Sequence, residues 1–93
     1  MGDDPKKIAV IIRDRQDEAL RMAVGLTLEG DEVSVFNLGE PIDHHGDNDL
    51  NVETLGDLDC GRYSVNAADE GFEQMTMQNV PQKLLEYDHV APY

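Results

Sequence analysis

The spacing of apolar and polar positions changes period several times along the chain, and each change predicts an element. Lys7 to Arg13, "KIAVIIR", is apolar without alternation. A run of that kind is a strand buried on both faces, as in the middle of a parallel sheet. "DRQDEALRMAVGLTLEG" follows with a helical period. Asp14 is placed to cap it, and Asp17 and Glu18 fall in the first turn, where the helix dipole favours anions. Ala19, Met22, Ala23 and Leu26 form the apolar stripe, widened by Leu20, Val24 and Leu28, and Gly30 supplies the stop. "DEVSVFNL" then predicts a second strand. Strand, helix and strand joined by short connections make a right-handed parallel βαβ unit.

Beyond residue 38 the periods are shorter. "GEPIDHHGDND" reads as a polar loop, and "DLNVETLG" as a short helix stopped by Gly56. "RYSV" reads as a short strand, "NAADEG" as a turn, and "FEQMTM" as a strand with Met75 and Met77 on one side in the core. Asn79 is placed to cap a last helix, with Pro81 in its first turn and Val80, Leu84 and Tyr87 on one face. "HVAPY" is a final strand in which Pro92 points to a sheet edge. The order β-α-β-α-β-β-α-β predicts an α/β fold. It is a small, open, mainly parallel sheet of four to five strands with helices on its faces, flavodoxin-like, in one domain over residues 1–93. Ligands of such sheets bind beyond the carboxyl ends of the strands. That directs attention to Arg13–Arg15 and to residues 39–49, and the segment around Cys60 is a third candidate.

Charge removes several classes of partner. Twenty acidic residues against seven basic ones give a net charge of −13. Nucleic acid and anionic membranes both require clustered cations, so neither is an expected partner. The polar, acidic start "MGDDPKK" does not read as a signal peptide, and no run approaches the length of a membrane helix. One cysteine allows no internal disulfide, which favours a reducing, cytoplasmic setting. A domain this small without a staple has reason to bury further surface, so a homo-oligomer is expected.

Two stretches also carry a family resemblance. "KKIAVIIRDRQDEALRMAVGLTLEGDEVSVFNL" resembles the opening of the DsrE/DsrF-like sulfur-relay family, and "MTMQNVPQKLLEYDHVAPY" resembles its ending. The resemblance implies a small DsrE-like protein with a flavodoxin-like fold and oligomeric assembly. No cofactor is expected. The resemblance further implies a persulfide carried on a cysteine after a central strand and passed to a sulfur-relay partner protein. Cys60 is the residue that would carry it.

The residues themselves give the candidate chemistry. A sulfur carrier needs a populated thiolate. Arg62 stands two positions beyond Cys60, and in a strand the two share a face, so Arg62 is the candidate for stabilising the thiolate. Asp57 and Asp59 flank the thiol and oppose that effect. Arg13 and Arg15, at the end of strand one and the start of helix one, are a candidate anion-binding pair, and Arg62 is placed to converge with them. No glycine-rich phosphate fingerprint accompanies them. "DHHGDND" lacks the spacing of a zinc or calcium site, so no metal is expected there. Two functional classes stay open: sulfur relay through Cys60, or a non-catalytic α/β domain acting through self-association or protein–protein contact.

Overall fold

The computed structural model describes residues 6–43, 46–69 and 71–93. Within these residues five strands form one sheet in the order β4-β3-β2-β1-β5, and every neighbouring pair is parallel. The strands are β1 (Lys7–Ile12), β2 (Glu32–Asn37), β3 (Gly61–Ser64), β4 (Glu73–Gln74) and β5 (His89–Pro92), and the helices are α1 (Gln16–Leu28), α2 (Gly46–Asp57) and α3 (Val80–Leu84). The open α/β architecture expected from the periodicity is the one observed.

β1 is apolar on both faces because both faces are covered. Ile8, Val10 and Ile12 pack with Ala19, Leu20 and Ala23 of α1 and Leu55 of α2. Ala9 and Ile11 pack with Phe36 under Tyr63, Leu84 and Tyr87 on the other side. The first side is sealed by two helices of 13 and 12 residues. The second has only the five residues of α3. Phe36 compensates there by stacking on Tyr63 at 4.9 Å and meeting the edge of Tyr87 at 5.6 Å, arrangements that favour aromatic pairs beyond simple burial.

Local chemistry explains where several elements end, and corrects part of the expectation. Residue 15, not Asp14, stands at the N-cap of α1, and no side chain caps it. The buried stripe of α1 is Ala19, Leu20 and Ala23, while Met22 and Leu28 are exposed. Leu28 lies about 140° around the helix from Ala23, which turns it to solvent. α1 ends in a Schellman motif. Gly30, at φ +96°, donates to the Thr27 carbonyl, and Asp31 donates to Leu26, the reciprocal pair that satisfies the last carbonyls.

α2 begins at Gly46, three residues earlier than its apolar pattern suggests, so the "DHHGDND" loop is partly its first turn. His44 and His45 lie outside the described residues. Nor does α2 stop at Gly56. It closes with a second Schellman motif in which Asp59, at φ +58°, donates to the Gly56 carbonyl and Cys60 donates to Leu55. Asn79 has helical backbone angles and caps nothing. Only Glu73 and Gln74 of "FEQMTM" are strand; Met75 is half-buried and Met77 is 57% exposed.

β5 is an edge strand, as Pro92 suggested. Tyr93 donates to the Ile11 carbonyl, which puts residues 91 and 93 on the β1 side of the ladder. Pro92 therefore faces away from β1, where its missing N–H costs the sheet nothing and leaves the edge poorer in donors.

Candidate functional site

Cys60 enters the sheet from α2. Its backbone N–H is taken by the Leu55 carbonyl at 2.9 Å, and β3 starts at the next residue. The thiol is thus at the amino end of β3, whereas the resemblance leads one to expect a cysteine after a central strand. The reason is local: "LGDLDC" is the last turn of α2 and its cap. Cys60 is half-buried and packs against the larger core.

Arg62 is on the same side of the sheet. It pairs in register with Val35, whose side chain belongs to the larger core. The i, i+2 relation with Cys60 therefore holds. Burial pushes the Cys60 thiol up, the Arg62 charge pulls it down, and Asp59 pushes it up again, with a net upward displacement. The arginine acts in the direction expected of a thiolate stabiliser and is outweighed.

The guanidinium of Arg62 lies in a slot made by two glycines. A methyl group added at Gly56 of α2 would sit 3.1 Å from Nη1, 3.2 Å from Cζ and 3.4 Å from Nη2. One added at Gly71 would sit 3.7 Å from Nη1. Arg62 Nε is buried with no hydrogen-bond partner. Cys60 itself lines a cleft of about 590 Å³ across the amino ends of the strands, with Ser34, Gly61, Tyr63, Lys83 and Tyr87. Lys83 Nζ stands 5.2 Å over the Tyr63 ring and Lys7 Nζ 5.7 Å over Tyr87. Burial pushes Tyr87 up as well, against a hydrogen bond with Ser34.

Arg13 and Arg15 are at the opposite end. Both line a cleft of about 880 Å³ beyond the carboxyl end of β1, with Gln16, Glu40 and Asp43. Arg15 is 3.8 Å from Glu18 and both side chains are largely exposed. Arg62 does not line this cleft, so the three arginines do not converge. Gln16 ties the cleft together: its Nε2 donates to the Glu40 and Pro41 carbonyls, and its Oε1 accepts from the Asp43 N–H. Gly39 passes so close to Arg13 that any side chain there would collide with the Arg13 carbonyl.

Beneath these loops is a group of polar residues that periodicity does not reveal. Asp69 is 4% exposed, and Asn37 and Ser64 are fully buried. The Asp69 carboxylate accepts from Asn37 Nδ2 at 2.7 Å, Ser64 Oγ at 2.5 Å and the Ile42 N–H at 2.9 Å. Asn37 also donates to the Glu40 carbonyl, and Asn66 to Gly39. The network pins the ends of β2 and β3 and both following loops. The available signal is Asn37 itself, a polar residue closing an otherwise apolar strand.

Among the described residues no group of three or more His, Cys, Asp or Glu side chains is placed to hold a metal. Among the same residues no helix is long and apolar enough to cross a membrane. No family model, curated protein or solved structure matches the chain.

Proposed function

We propose that this chain is a non-catalytic α/β domain that acts by self-association through its α3 side. The observation that carries this reading is the unequal covering of the sheet. On the α3 side one five-residue helix does the work that α1 and α2 share on the other. Around it Leu85 is 82% exposed, Met77 57% and Val90 46%. Val90 pairs with Ala9, so it faces the same way as the smaller core. Met22, Leu28 and Leu50 are exposed on α1 and α2 as well, but they stand on helices that already seal their side of the sheet; exposed apolar groups beside the thinly covered side favour a contact that removes them from water.

A second copy is the partner best suited to that side, despite a charge of −13 per chain. Two of the three lysines, Lys7 and Lys83, stand there over Tyr87 and Tyr63, which lessens repulsion where it would otherwise be felt. Sedimentation equilibrium at micromolar concentration tests the reading. The expected result is a dimer or larger species, converted to monomer by Leu85→Lys with Val90→Lys. A monomer of 10.4 kDa across that range would refute it.

A second reading is a cytoplasmic sulfur-relay protein that hands a persulfide from Cys60 to a partner protein. It draws on the family resemblance, and one observation favours it: Arg62 shares a face with Cys60 and lowers its pKa against burial. Its test is the reactivity of Cys60 across pH.

A further inference from the structure

We propose that the Arg62 guanidinium is the receptor for a small free oxoanion, held in the slot between Gly56 of α2 and Gly71. This goes beyond either functional reading, because the ligand is neither a second copy of the chain nor the Cys60 sulfur.

Arg62 lacks a partner of opposite charge among the described residues. The chain has 20 carboxylate side chains. Among the described residues none pairs with Arg62, and no acceptor lies within hydrogen-bond reach of its nitrogens. Its Nε is removed from water without a partner. A cation partly stripped of water and left unpaired is costly, and it is normally neutralised by a carboxylate, an ion or a ligand. Asp69, the buried acid nearest in sequence, spends its carboxylate on Asn37, Ser64 and Ile42 instead.

The guanidinium is also flanked by residues without side chains. Gly56 stands within the last turns of a helix, where glycine is less favourable than alanine by about 1 kcal/mol. In this position even an alanine methyl would press on the whole guanidinium, at 3.1 to 3.4 Å. Gly71, at φ +83°, would bring a methyl to 3.7 Å from Nη1. Both glycines thus leave beside the fork the space that a side chain would take. Arg62 is only half-buried, so with Nε enclosed it is the Nη1 and Nη2 end that reaches solvent. Two parallel N–H groups at the end of a planar fork suit an ion with two oxygens to offer, a carboxylate or a tetrahedral oxoanion. Cys60 is beside this site but is not required for it.

The experiment follows the Arg62 Nε–H signal in proton–nitrogen correlation spectra of the full chain. Sodium sulfate and sodium acetate are added separately, with ionic strength held constant by chloride. The signal is assigned by its loss in Arg62→Lys. The expected result is a shift that saturates with a midpoint on the order of 1 mM for at least one of the two ions. Cys60→Ala should keep the midpoint within about twofold, and Gly56→Ala should raise it by tenfold or more, as loss of about one good hydrogen bond would. A shift that stays linear with both ions, or a midpoint unchanged in Gly56→Ala, overturns the proposal. The wild-type titration alone decides the first point should a variant fail to fold.

Discussion

The two ends of this sheet bury charge in opposite ways. At the carboxyl end Asp69 is nearly inaccessible and accepts three hydrogen bonds, from Asn37, Ser64 and the Ile42 backbone. At the amino end Arg62 is half-buried, and its enclosed Nε meets no acceptor. A buried ion surrounded by donors or acceptors is a structural pin. A buried ion without them is a loose end that a ligand can satisfy. The contrast separates the part of the molecule that holds the fold from the part with unspent chemistry, and the amino end is the latter even though parallel sheets ordinarily bind at the carboxyl end.

The contrast breaks first, and most visibly, at Asp69. Replacing it with alanine leaves the Asn37 amide, the Ser64 hydroxyl and the Ile42 N–H facing a void. Each orphaned buried group costs about 1–3 kcal/mol, so a loss of roughly 3 kcal/mol or more is expected in urea unfolding. Hydrogen exchange at Ile42 should quicken with it. A loss under about 1 kcal/mol would show that the network is not a pin.

The opposite outcome is expected at Arg62. With no anion present, Arg62→Met removes a cation that no described residue pairs and keeps most of the apolar stem. Replacing a buried charge by an apolar side chain of similar volume is often neutral or stabilising. The same urea measurement should therefore show a change within about 1 kcal/mol of zero, or a gain. A loss as large as that of Asp69→Ala would erase the distinction between the two ends.

How much of this could be read in the sequence follows the same division. The β1-α1-β2 unit was legible because its apolar runs are long and its stop, Gly30, is a residue whose backbone freedom is recognisable. The carboxyl-end pin was not. Asp69 lies in "NAADEG", which reads as a polar turn, and two of its partners are 27 and 32 residues away. The close of α2 was misplaced because the left-handed residue there is Asp59 and not a glycine, while the obvious glycine, Gly56, clears space for a side chain from β3. "FEQMTM" alternates like a six-residue strand, yet β3 ends at Ser64, whose carbonyl accepts from the Met75 N–H and closes the ladder. The Cys60–Arg62 pair was legible as a spacing, and the spacing holds. What the spacing does not contain is the burial on one side and Asp59 on the other.

Those two influences set the smallest and finest effect, on the thiol itself. Burial raises the Cys60 pKa more than Arg62 lowers it, and Asp59 adds to the rise. The pH midpoint of iodoacetamide alkylation in the folded protein should thus lie above that of the unfolded chain, which is about 8.5 for a free thiol. Arg62→Ala should raise it further, and Asp59→Gly should lower it while removing a strained φ. The sign for stability follows from linkage. Between the unfolded and the raised folded pKa the native state holds more proton than the unfolded state, so stability falls as pH climbs through that window. Cys60→Ala should remove this alkaline fall. A folded midpoint below the unfolded one, rising when Arg62 is removed, would reverse the order of influences. Arg62 would then be acting on the thiolate rather than waiting for an external anion, and the sulfur-relay reading would take precedence at this end of the sheet.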